Sequence, residues 1–236
     1  MSDFADYFPS TGGISLEGLV NLVFERLQIL ENDRAMIWAF LEPLRLKNDS
    51  TRFHYRHSLR VGLKCAEIAR FLHIDEKALF YPGLLHDLGK LLVNPETLGK
   101  KDGWTIEDSR EMISHVLDGY RTLRGCLDFT AEVIIWHHWF QLNGYPDVIP
   151  PPLHEYSRGT KVNIAYYGRL LALADCYDAF HRVNDKFGAL TGEEIKTRML
   201  ESNPDQRHLV NELYEAGIFS THLEGDACRE TRRWSY

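Results

Sequence analysis

The 236-residue, 27.4 kDa chain is 44% hydrophobic and 26% charged, ordinary values for a globular protein long enough to bury a core without covalent staples. Its four cysteines are scattered with no CxxC pair, which excludes a disulfide framework and a zinc-thiolate knuckle, and the net charge of −7 argues against a general nucleic-acid binder. No apolar run approaches the roughly 18 residues a membrane span needs, and the acidic, polar start MSDFADYFPSTGG lacks a signal layout, so no membrane partner and a cytoplasmic location are expected.

In chain order, Leu16, Leu19, Val20, Val23, Leu27 and Leu30 recur at spacings of three and four and predict a helix over residues 14–30. Residues 34–45 read as a second helix, with Pro43 near its end. His57, Val61, Cys65, Ile68 and Leu72 share one face of a third. Residues 76–90 carry the pair His86-Asp87 on a helix whose start Pro82 should kink or shift. Thr105 with Asp108 forms a capping-box pattern opening a helix through His115. Thr130 is expected to cap a helix holding His137 and His138, and residues 163–183 a helix carrying Asp175. Residues 92–104 read as a loop. Residues 143–162, with four prolines, form a longer one that starts directly after the two histidines, as a lid over a site would. No alternating apolar-polar stretch with hairpin turns occurs, so the fold class is all-α.

Seven residues carry potential metal chemistry: His57, His86, Asp87, His115, His137, His138 and Asp175. Imidazole nitrogens with carboxylates suit iron, manganese, zinc or nickel better than calcium or magnesium. Seven ligands exceed the needs of one ion. Two ions bridged by one carboxylate would use them all, and such pairs clamp the oxygens of an in-line phosphoryl displacement and activate a water. Asp87, next to His86, is the natural bridge. On a helix His137 and His138 would point about 100° apart, so one of them needs the chain to turn, as a break at Asn143-Gly144 would allow.

The segments HDLGK (86–90), HVLDG (115–119), HH followed by NGYP (137–146) and LLALADCYDAF (171–180) resemble, in order, the motifs of the HD-GYP subgroup of HD-domain metallohydrolases. The resemblance covers about residues 50–215. It implies an all-α HD-domain bundle over residues 51–216, with a short N-terminal helical extension at 1–50 and a tail at 217–236. It also implies two divalent transition-metal ions, iron or manganese, and a small anionic nucleotide as substrate. The expected activity is a phosphodiesterase acting on a cyclic dinucleotide, cyclic di-GMP first. Lys90 would stabilise phosphate charge or protonate the leaving oxygen, and Asp178, on the face of Asp175, would orient Lys90 or fix the tautomer of a ligand histidine. Tyr145 would contact substrate.

The chain departs from the pattern in several places. Phe53 stands where three-metal members carry a glutamate ligand, which leaves two metals. HHWFQLNGYP is one residue shorter than the usual segment. Beyond Asp178, Arg182 and Lys186 are the nearest cations for phosphate binding, out of register with the Arg/Lys pair of the resembling proteins. An HD-type enzyme for another nucleotide, a di-iron oxygenase and a non-catalytic nucleotide receptor therefore stay open. His54, His73, His154, His181, His208 and His222 have no motif support and are expected to be surface or core residues.

Overall fold

The computed structural model describes residues 14–100, 102–152, 154–181 and 190–220, and among them every regular element is helical. Helix α1 (Leu16–Arg26) starts where the Ser15 hydroxyl accepts from the Gly18 amide at 3.1 Å. It stops four residues short of the predicted end, because Gln28 takes a positive φ of 51° and turns the chain. Helix α2 (Glu31–Leu46) begins three residues before the predicted start and contains Pro43 within its last turn. Both pack on the central helix α3 (Asp49–Phe71), which an Asn48–Thr51 capping box opens.

Helix α4 (Glu76–Leu85) begins at an Asp75 cap, so Pro82 does not displace its start. The predicted helix to residue 90 breaks at His86-Asp87 and tightens into a 3-10 turn, Leu88–Leu91. Helices α3 and α4 cross backbone to backbone. A Cβ on Gly83 would lie 2.8 Å from the Gly62 Cα, and one on Gly62 would lie 2.5 Å from Leu84 Cδ2. Side chains there would push His57 and His86 apart.

The predicted loop 92–104 holds one short helix, α5 (Pro95–Leu98). Helix α6 (Ile106–Leu123) opens with the Thr105–Asp108 capping box that the sequence spells. The 3-10 turn rests on α6 at Gly89, where a Cβ would fall 1.9 Å from the His115 carbonyl oxygen. Helix α7 (Asp128–Ile134) is shorter than expected. Leu127, not Thr130, occupies the cap position, and Thr130 is buried inside the helix. His137 and His138 thus lie beyond α7, in turns bonded three residues back, such as His137 N to Ile134 O at 3.3 Å.

After an irregular stretch, helix α8 (Arg158–His181) starts five residues before the predicted helix and carries Asp175 and Asp178 through the core. Helix α9 (Gly192–Ser202) packs on α8, and α10 (Arg207–Glu215) packs on α9. The buried Arg169 guanidinium donates to Asp205 at 2.9 and 2.8 Å and to Asn203 Oδ1 at 2.9 Å. Beyond α10, Phe219 stacks on Tyr177 with centroids 4.2 Å apart. No helix among the described residues is long and apolar enough to cross a membrane.

Candidate metal centre

The seven predicted ligands converge from α3, the end of α4, α6, the turn after α7, and α8. One ligand atom each from His57, His86 and Asp175 lie within 4.8 Å of one another, and so do one each from His115, His137 and His138. Asp87 stands between these sets. Its Oδ2 is 3.5 Å from His57 Nε2 and 3.6 Å from His86 Nε2, while its Oδ1 is 3.4 Å from His115 Nε2. Asp175 Oδ1 is 3.1 Å from His57 Nε2. His137 and His138 join the same set, with ring centroids 4.0 Å apart. The turn that permits this follows Ile134, well before the expected break at Asn143-Gly144.

The donor atoms fit metal ions. Four histidines have Nδ1 against an acceptor: His57 on Asp178 Oδ2 at 2.6 Å, His86 on Gly83 O at 2.9 Å, His137 on Ile134 O at 2.6 Å, and His115 on Met112 O. A proton on each Nδ1 turns the Nε2 lone pair inward, the tautomer a metal requires. His57 Nε2 and His86 Nε2 then face each other at 3.2 Å with no proton between them. Asp87 Oδ1, His115 Nε2, His137 Nε2 and His138 Nδ1 are buried without a hydrogen-bond partner. Leaving such a group unsatisfied costs about 1–3 kcal/mol. A cation in each set would answer these atoms.

Electrostatics agree. Burial, opposed by Asp87 and Asp175, pushes His86 down to about 4, and burial with the Lys90 charge pushes His115 down to about 3. Burial alone would raise Asp87, but Lys90 and the surrounding imidazoles hold it well below the usual carboxylate range. His86 and His115 are thus neutral, and Asp87 ionised, at neutral pH. The depressed histidine pKa values mean that the unfolded chain binds more protons than the folded one between pH 6.5 and about 4. Stability is therefore full above the unfolded value and is lost as pH falls through that window. Thermal melts of the metal-free protein should show Tm dropping steadily over this range; a flat profile would contradict the buried neutral histidines.

Asp178 is buried in α8. Besides the His57 ring it accepts from Arg60, at 2.7 Å from Nε to Oδ1 and 3.2 Å from Nη2 to Oδ2. Asp178 therefore contacts the imidazole of His57 and the guanidinium of Arg60. Lys90 instead lies 2.6 Å from Asp87 Oδ2 and 3.2 Å from His54 Nδ1. The sequence did not single out Arg60, and it marked His54 only as a surface or core residue; His54 is buried beside Lys90 and Asp87. Arg60 and His54 each sit three residues from His57 on α3, so helical spacing from an accepted ligand was the available signal. Asp178→Asn should weaken metal binding by roughly 10–100-fold, the usual cost of an outer partner, as isothermal titration of the metal-free protein would show. Unchanged affinity would detach Asp178 from the centre.

Tyr145 lies against the centre, its ring 4.6 Å from that of His138 and 6.1 Å from that of His115, after which the chain passes through a cis Tyr145-Pro146 bond. Burial pushes its hydroxyl pKa up. The Tyr120 hydroxyl donates to Pro151 O at 3.3 Å and ties the same loop to α6. Trp136 stacks on Phe140 beside the histidines. Arg182 and Lys186 lie outside the described residues.

The HD domain family model matches residues 54–179, more than half of the chain and a span enclosing both ligand sets. The chain belongs to the HD domain family. HD domains bind divalent metals, consistent with the donor set above. Two curated relatives are the 3'3'-cGAMP-specific phosphodiesterase 1 of Vibrio cholerae, 27% identical over 63% of this chain and 34% of that protein, and the cyclic di-GMP phosphodiesterase PA4108 of Pseudomonas aeruginosa, 28% identical over 70% of this chain and 39% of that protein. The chain thus spans little more than a third of the length of these relatives. Among solved structures it resembles the HD domain of the Listeria monocytogenes phosphodiesterase PgpH, with TM-score 0.50 and 16% identity over 74% of this chain and 86% of that one. The same HD domain in complex with cyclic-di-AMP gives TM-score 0.50 and 17% identity over 75% and 86%. At that identity the likeness shows the helical HD fold alone.

Proposed function

We propose that this HD domain is of the HD-GYP type and is a metal-dependent phosphodiesterase that opens a cyclic dinucleotide, using two iron or manganese ions. The carrying observation is the position of Asp87, with one oxygen toward His57 and His86 and the other toward His115. Two separate sets flanking one carboxylate favour a dinuclear centre over a mononuclear one. His57, His86 and Asp175 would hold one ion, His115, His137 and His138 the other, and Asp87 both. Held there, such ions would supply Lewis-acid charge for the phosphodiester and would acidify a water.

The chain's own residues do the rest. Asp178, itself held by Arg60, keeps the His57 proton on Nδ1. The Lys90 ammonium, beside Asp87, stabilises charge on a phosphate oxygen or protonates the leaving one. Tyr145, against His138, forms one wall of the substrate space. Arg182 and Lys186 follow α8 in the chain and are the proposed, non-standard phosphate contacts.

The relatives' names cover cyclic di-GMP and 3'3'-cGAMP, and the altered segment after Asp178 keeps the choice of base open. The test is a panel of cyclic di-GMP, 3'3'-cGAMP, cyclic di-AMP and their linear forms, offered to anaerobically purified protein loaded with iron or manganese. Hydrolysis of at least one cyclic dinucleotide is expected. Binding without turnover across the panel would make the chain a receptor. Neither binding nor turnover would point to a different substrate class.

A further inference from the structure

Lys90 enters the centre from the 3-10 turn on a flexible four-carbon stem. An ammonium held by one oxygen can pivot about it, because it offers three donors and no acceptor. Its Nζ meets Asp87 Oδ2 at 2.6 Å, an oxygen that also faces His57 and His86. The second atom it meets is His54 Nδ1, at 3.2 Å. His54 is 9% exposed, stands three residues before His57 on the same face of α3, and packs edge-on against Phe53 with centroids 5.3 Å apart. Its Nδ1 is also 3.4 Å from Asp87 Oδ2, so carboxylate, imidazole and ammonium close a triangle. An ammonium only donates, so the nitrogen beside it carries the lone pair, and the ring proton sits on Nε2. Neither ligand set includes His54.

We propose that His54 is a positioning residue, whose Nδ1 accepts from Lys90 and fixes where the ammonium stands relative to Asp87. The oxygen Lys90 shares with Asp87 is the one the metal-binding histidines also approach; His54 provides an anchor outside both ligand sets. The role in turnover rests on the phosphodiesterase function proposed above, while the contact itself does not.

The experiment uses the full chain with His54→Leu, which removes the acceptor, His54→Gln, which retains one, and each combined with Lys90→Met. In thermal melts of metal-free protein, His54→Leu should lower Tm by at least twice as much in the parent as in the Lys90→Met background, the signature of a direct contact. Equal shifts in both overturn the proposal. Metal content of His54→Leu should equal that of the parent; loss of an ion would make His54 a ligand and also overturn it. With the loaded enzyme, His54→Leu should lower kcat about tenfold, less than the roughly 10²–10⁴-fold lost when an acid-base group is itself removed, with KM within about twofold. His54→Gln should recover most of that loss, and no further loss should appear on top of Lys90→Met. Equal losses of kcat in both backgrounds would assign His54 a purely structural part. Should His54→Leu not fold, His54→Ala replaces it in the same cycle. If the parent turns over no cyclic dinucleotide, the proposed function falls, and the melting cycle alone still decides whether His54 holds Lys90.

Discussion

Asp87→Ala is expected to leave no more than one ion per chain and to abolish measurable hydrolysis. Asp87 is buried, its two oxygens face different ligand sets, and Oδ1 has no other partner. Loss of an outer partner costs roughly 10–100-fold in metal affinity, and loss of the ligand shared by both sets should exceed the upper end of that range. The substitution also strands the Lys90 ammonium, which sits 2.6 Å from the carboxylate it would lose. His86→Ala should do less, because it empties one position of one set. Elemental analysis of protein purified with iron or manganese distinguishes the cases. Two ions retained in Asp87→Ala would rule out a carboxylate-bridged pair.

Lys90→Ala is expected to retain the metals and the fold yet slow hydrolysis by roughly 10²-fold or more, the scale of general acid catalysis or of one lost charge-stabilising donor. Lysine is no ligand here, and its removal frees an oxygen of Asp87. Metal affinity should therefore hold or rise while kcat falls. Single-turnover measurement with saturating substrate separates this from weakened binding. Turnover at the parental rate would take Lys90 out of the chemistry without touching the metal centre.

Much of this centre is legible in the sequence because its signals are local. The Thr105–Asp108 capping box lies within one helical turn and sets the start of α6 as read. HDLGK and ALAD each place ligand and neighbour within a few residues. The failures come from packing. Thr130 has the chemistry of a cap but is buried within α7, and the turn after Ile134 follows from a contact invisible locally: Gly168 of α8 lets Trp136 approach until a Cβ there would lie 2.4 Å from Trp136 Cβ. Arg60 looks like a surface charge on a helix, and its partner Asp178 is 118 residues away. His54 has no motif, and only the fold brings Lys90 beside it.

The ligands come from five segments that are far apart in the chain and packed against one another. Any ion held by them is consequently a brace as well as a reagent. Chelation pins α3, the end of α4, α6, the turn after α7 and α8 to a common point, so metal binding and folding draw on a single free energy. A substitution far from the centre that loosens α8 from α3 would then register first as leakage of metal, and metal supply during synthesis would govern how much of the chain reaches its native form.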